Sequence, residues 1–142
     1  MTILSQLRQS KGNDVWSIAP DASVLDAIRL MAEHHIGALL VMEGRQLAGI
    51  ISERDYARKV VLKGRSSTST TVREIMSSPV VTAEPGQTVD DAMRLMTGRR
   101  IRHLPVVRNG AVVGVVSIGD LVKSVIEDQR HTIEDLKSYI QG

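Results

Sequence analysis

Two stretches place a serine and an aspartate where they could hold a ribosyl phosphate: Gly114 to Asp120 (Gly-Val-Val-Ser-Ile-Gly-Asp) and Gly49 to Asp55 (Gly-Ile-Ile-Ser-Glu-Arg-Asp). In each, a β-branched run leads to a Ser able to cap a helix, and an Asp follows three residues later at the helix's first turn. The opening amides of a helix donate to phosphate oxygens, a Ser hydroxyl adds a donor, and a carboxylate accepts from both hydroxyls of a ribose. The same spacing is also a capping box, in which the side chains serve only their own helix. Ser117 with Asp120, and Ser52 with Asp55, are candidates for both roles. Arg99, Arg100, Arg102 and His103 form a basic cluster too short for a duplex footprint but well sized for one phosphate. Arg99 and Arg100 close a helix, where positive charge suits the dipole. Arg102 and His103 open a strand, where neighbouring side chains face opposite ways, so one of the two, His103 by preference, is expected to face a ligand.

The elements that must position these residues can be read in order. Residues 3 to 10 suggest a short amphipathic turn broken by Lys11 to Asp14. Val15 to Ile18 is extended and stopped by Pro20, and Ser23 to His34 carries Val24, Ala27, Ile28 and Met31 at helical spacing, with Ser23 and Asp26 as a capping box. Two apolar, β-branched runs, Ile36 to Met42 and Leu47 to Ile51, follow, and a helix runs from about Glu53 to Leu62. The unit is βαββα. Lys63 to Thr71 is small, polar and aperiodic, so residues 63–78 are set apart as a linker.

Sliding the chain by 65 positions lays Val15 to Val61 on Val80 to Ile126 without a gap, and fifteen of the forty-seven pairs are identical. Shared composition would give only a few. The matches include Pro20 with Pro85, Asp26 with Asp91, Gly49 with Gly114, Ser52 with Ser117 and Asp55 with Asp120. Two half-buried sheets with their helices are expected to pack face to face about a pseudo-two-fold axis, because neither alone closes a core. The domain plan is residues 1–14, a first repeat over 15–62, the linker 63–78, a second repeat over 79–126 and a helical extension over 127–142. The extension holds an apolar stripe from Leu121 to Ile140, expected to break near Gln129 to Thr132 and to cover either the partner half or a second chain, with simple intrachain core as the alternative.

Composition narrows the function classes. At 142 residues with a net charge of +2, interleaved signs and no wide basic face, a nucleic-acid surface is not indicated. No Phe, one Trp and two Tyr leave little for base stacking. Absent cysteine removes thiol catalysis, and neither a secretory h-region nor a membrane-length apolar run is present, so a soluble cytoplasmic protein is expected. His34 and His35 lack a third ligand at metal spacing. No nucleophile elbow or Lys-bearing phosphate loop accompanies the Asp, Ser and His residues, so no enzyme is expected.

Both Gly-h-h-Ser-x-x-Asp stretches (h apolar), the run Ile101-Arg102-His103-Leu104-Pro105-Val106-Val107 and Val72-Arg73-Glu74-Ile75-Met76 together resemble a paired CBS domain, or Bateman module, over residues 15 to 126. The likeness is strongest to stand-alone bacterial CBS pairs. It implies an α+β fold of two βαββα repeats and a ligand such as AMP, ADP, ATP or NAD in clefts between them, with no catalytic cofactor. It further implies Asp120 and Ser117 on one nucleotide and Asp55 and Ser52 on another, base-lining positions at Ile18, Ile36, Thr82 and Ile101, and phosphate contacts from His103 or Arg102. The residues before the two aspartates, Gly119 and Arg54, belong to the same sites. The first repeat departs from the pattern, having Gly37 and Ala38 where the second has Arg102 and His103, so Arg54 is the nearest cation to Asp55. A homodimer and a regulated protein partner are expected; the competing expectation is a structural interaction module with degenerate clefts.

Overall fold

The computed structural model describes residues 2–7 and 15–141. They form two compact units, one of Val15–Val81 and the other of Thr82 onward together with residues 2–7. The fold is α+β.

In the first unit β1 (Ser17–Ile18) pairs in parallel with β2 (Ala38–Glu43), which pairs antiparallel with β3 (Gln46–Ser52). Between β1 and β2 runs α1 (Val24–His34), started by the Ser23 hydroxyl accepting from the Asp26 amide at 3.1 Å and ended by His35 in the left-handed conformation. After β3 come α2 (Glu53–Tyr56) and a π-helical turn, Ala57–Val61. Val24, Ala27 and Met31 on one stripe of α1 bury against Leu39, Val41 and Ile51, the inward positions of β2 and β3.

The stretch set apart as a linker packs into this core. α3 (Val72–Ile75) buries Val72 and Ile75 against α1 and the sheet, and Ser77 bridges Ile50 through two backbone bonds of 3.1 and 2.8 Å. Gly49 permits that approach: a Cβ there would lie 2.5 Å from Met76 Sδ and 3.0 Å from the Ser77 carbonyl oxygen. Buried Thr70 donates its hydroxyl to the Ser66 carbonyl at 2.7 Å.

The second unit repeats the plan in shorter form. α4 (Val89–Arg99) is capped by the Thr88 hydroxyl on the Asp91 amide and ended by left-handed Arg100, matching Ser23 and His35 at the 65-residue offset. β4 (His103–Arg108) and β5 (Ala111–Ser117) form a hairpin whose register shifts between Val106 and Val107, as the first does between Val41 and Met42. Asn109 and Gly110, both at positive φ, make its turn. The counterpart of β1 is one parallel bridge, Ala83 to Val106.

Residues 2–7 do for this unit what 70–75 do for the first. Val89 donates to the Thr2 carbonyl, and Leu4 and Ser5 donate to Gln87 and Pro85, as Val24 donates to Thr70 while Val72 and Arg73 donate to Ala22 and Pro20. Leu4 is buried there, in a short 3₁₀ turn over Leu4–Gln6. The break expected over Lys11 to Asp14 lies outside the described residues. The break expected near Gln129 is not found: α5 (Ile118–Gln141) is continuous through 24 residues. Residues 129–132 hold neither Gly nor Pro, so nothing there interrupts the hydrogen-bond ladder.

Candidate functional site

Both Ser-x-x-Asp motifs sit where a β-hairpin's second strand turns into a helix. In the second repeat the Ser117 amide donates to Asp120 Oδ2 at 2.9 Å and the Asp120 amide donates to Ser117 Oγ at 3.1 Å, a closed capping box. The first helical amide, Ile118, donates to the Arg102 carbonyl at 2.9 Å. Two amides expected to face a phosphate are thereby engaged within the protein, because the preceding strand and the Ser side chain reach them first. His103 lies directly across from Ser117 in the β4–β5 register, which puts the two side chains on one face of the sheet. Ser117, His103 and Asp120 are half-buried, whereas Arg102 and Gly119 are exposed. A Cβ at Gly119 would meet only Ser117 Oγ, at 3.6 Å, so the backbone does not require glycine there.

The first repeat builds the same box and adds to it. The Ser52 amide and hydroxyl donate to Asp55 Oδ2 at 3.0 and 3.1 Å, and the Asp55 amide donates to Ser52 Oγ at 3.2 Å. Glu53 donates to the Gly37 carbonyl, and Ala38 stands across from Ser52. The second carboxylate oxygen, Oδ1, faces Lys59 Nζ at 3.2 Å and the Ser77 hydroxyl at 3.5 Å. Lys59 also donates to the Ile75 carbonyl at 2.8 Å, so Asp55 is tied through it to the end of α3. Lys59 was not among the sequence candidates. Its signal was present: an Asp followed four residues later by a Lys on one helical face is an ion-pair spacing.

The cations are thus arranged differently. The first repeat carries Arg54 and Lys59 on the helix side with Gly37 and Ala38 on the strand side, while the second carries Arg102 and His103 on the strand side with Gly119 and Ser124 on the helix side. Of the four expected base-lining residues, Ile18 and Ile36 pack partly on the first unit's core and Ile101 donates its amide to the Met96 carbonyl. Thr82 is exposed, next to the Ala83 bridge to Val106. His34 stacks on Trp16 with ring centroids 3.5 Å apart, and no group of three His, Asp or Glu fit to hold a metal occurs among the described residues. Among those residues, no helix is long and apolar enough to cross a membrane.

The duplicated hairpin-to-helix junction, each with its Ser-x-x-Asp box, is matched by the sequence pattern described as the CBS domain, over residues 11–62 and again over 72–127. The chain belongs to the CBS-domain family. The pair is 43% identical over 151 residues to the CBS domain-containing protein CBSX3, mitochondrial, of Arabidopsis thaliana, spanning 99% of this chain and 73% of that protein. A CBS-domain protein of Burkholderia ambifaria MC40-6 superimposes with a TM-score of 0.83 at 52% identity, covering 89% of this chain and 93% of that one. The CBS pair of protein MJ0100, solved in complex with 5′-methylthioadenosine and S-adenosyl-L-methionine, has a TM-score of 0.77 at 25% identity, covering 90% and 98%. CBS pairs of this kind are regulatory modules, and one structural neighbour carries adenosine-containing ligands.

Proposed function

We propose that this CBS pair is a non-catalytic sensor of adenosine-containing nucleotides, AMP, ADP, ATP or NAD among them, and that it passes ligand occupancy to a protein partner. Asp120 and Ser117 hold the ribose and its phosphate in the second repeat, with His103 and Arg102 supplying positive charge. The first repeat is the weaker site. What carries the ranking is the strand side of each box: the second repeat has Arg102 and His103 where the first has Gly37 and Ala38, so positive charge for a phosphate lies beside Ser117. Support for the ligand class comes from the duplicated Ser-x-x-Asp box in a family with an adenosine-bound neighbour. The ligand acts by population shift, favouring whichever conformation it binds better.

Thermal unfolding against AMP, ADP, ATP, NAD and S-adenosylmethionine tests this. A ligand at about 100 times its dissociation constant stabilises the fold by about 2.7 kcal/mol, a shift of several degrees. The expected result is a shift for at least one of these ligands that Asp120→Ala removes. No shift with any of them at millimolar concentration favours an interaction module, in which the boxes serve as caps alone.

A further inference from the structure

One ammonium joins the first motif's aspartate to the segment that leaves the first repeat. Lys59 Nζ donates to the carbonyl of Ile75, the last residue of α3, at 2.8 Å and pairs with Asp55 Oδ1 at 3.2 Å. It sits on the π-helical turn Ala57–Val61, a local widening that recurs at functional sites. The matching residues 122–126 lie within the regular helix α5, with Ser124 in place of the lysine. A carboxylate offers about four acceptor positions. At Asp55 they are filled: Oδ2 accepts from the Ser52 amide and hydroxyl, while Oδ1 pairs with Lys59 and accepts from the Ser77 hydroxyl at 3.5 Å. Both partners of Oδ1 are bound up with the end of α3, Lys59 through the Ile75 carbonyl and Ser77 as part of the chain that follows it.

We propose, resting on the nucleotide reading of the first repeat, that Lys59 is a catch by which occupancy of Asp55 releases the segment leading to the second repeat. A ribose diol needs acceptor positions on the carboxylate, and the ones it can open are on Oδ1, because Oδ2 is held by the helix cap. Once Lys59 loses the carboxylate, its ammonium is no longer fixed against the Ile75 carbonyl, and the Ser77 hydroxyl is released in the same step. The backbone bonds between Ser77 and Ile50 and the packing of Met76 on Gly49 then hold residues 76–81 alone. Val72 and Ile75 stay buried, so the opening is local and the repeat remains folded. That segment ends at Val81, where the second unit begins with Thr82.

Residue-resolved hydrogen exchange of the full chain tests this at the Met76 and Ser77 amides, which donate to the Val72 and Ile50 carbonyls. An Asp120→Ala background silences the second site, and AMP, ADP, ATP and NAD are the probes, with their binding followed by calorimetry on the same samples. Without ligand, Lys59→Met should speed exchange at both amides by about fivefold, while amides of β2 and β3 do not speed up. A probe that binds should produce the same change in the chain that keeps Lys59 and add nothing in Lys59→Met. Binding that leaves the two amides unchanged, or a Lys59→Met chain that exchanges like its parent, overturns the catch and spares the ligand reading. No binding of any probe at millimolar concentration, with Lys59→Met still opening the segment, overturns the nucleotide reading of the first repeat and the catch with it.

Discussion

In the first repeat the motif's aspartate is drawn into a joint: Lys59 and Ser77 reach Asp55, Lys59 also holds the Ile75 carbonyl, and Gly49 lets Met76 press against the sheet. In the second, Ser124 takes the place of Lys59, and the polar groups stand on the strand side, with His103 opposite Ser117. Two copies with the same cap have diverged in what surrounds it. Capping residues therefore do not by themselves separate a binding repeat from a structural one; the cation's position is what differs between the two.

The largest effects test whether the two frames are equivalent. Leu39→Ala and Leu104→Ala empty matching, fully buried places on β2 and β4, and each should cost about 2–5 kcal/mol in denaturant unfolding. A near-zero cost at one of them would break the equivalence. Next, Gly49→Ala forces its Cβ onto Met76 and the Ser77 carbonyl and should cost about 1–3 kcal/mol, partly restored by adding Met76→Ala. If Gly49→Ala is neutral, the first repeat is not closed by that contact.

A smaller effect sharpens the contrast at the sites. Lys59→Met keeps the apolar stem and removes the ammonium, so stability should change by less than about 1 kcal/mol, because Lys59 is substantially exposed. Ligand binding to the first repeat should tighten, measured in an Asp120→Ala background where the second site is silent. Unchanged affinity would mean that Lys59 does not obstruct Asp55.

The smallest effect is a pH dependence confined to one repeat. The Glu74 carboxyl is held below its ordinary range by the Thr71 amide first, then by the Thr71 hydroxyl and Arg65. A depressed folded value contributes stability that is present above the unfolded carboxylate's pKa and lost as pH falls through the folded one. Glu74→Gln should therefore lower the unfolding midpoint slightly at neutral pH, with the difference vanishing in acid. The counterpart box, in which Gln6 accepts from the Ile3 amide, has no such titration, so Gln6→Ala should have a pH-independent effect.

The repeat, the helix caps and the strands were legible because each is a local pattern: the 65-residue match, Ser23 with Asp26, and the β-branched runs over 36–42 and 47–51. The role of residues 70–75 was not, although Val72 to Met76 stood out as a motif. A polar, aperiodic lead-in hides the fact that Val72 and Ile75 bury completely, since burial depends on what the segment packs against. The same holds for residues 2–7, whose partners in sequence lie eighty or more positions away. At the sites, Ser52, Asp55, Ser117 and Asp120 could be named from spacing, while Lys59 lies outside the repeated motif and has Ser124 at its place in the second repeat, so the duplication does not mark it. His103 opposite Ser117 follows from the hairpin register, which the Asn-Gly turn and the bulge set together.

Isothermal titration of the nucleotide giving the largest thermal shift, on wild type, Asp120→Ala and Asp55→Ala, tests the ranking of the two motifs. Loss of a charge-assisted pair of hydrogen bonds should weaken the principal site by about 10- to 100-fold in Asp120→Ala, with Asp55→Ala leaving that site within about threefold of wild type. Loss of the tighter binding event in Asp55→Ala, with Asp120→Ala behaving as wild type, would contradict it.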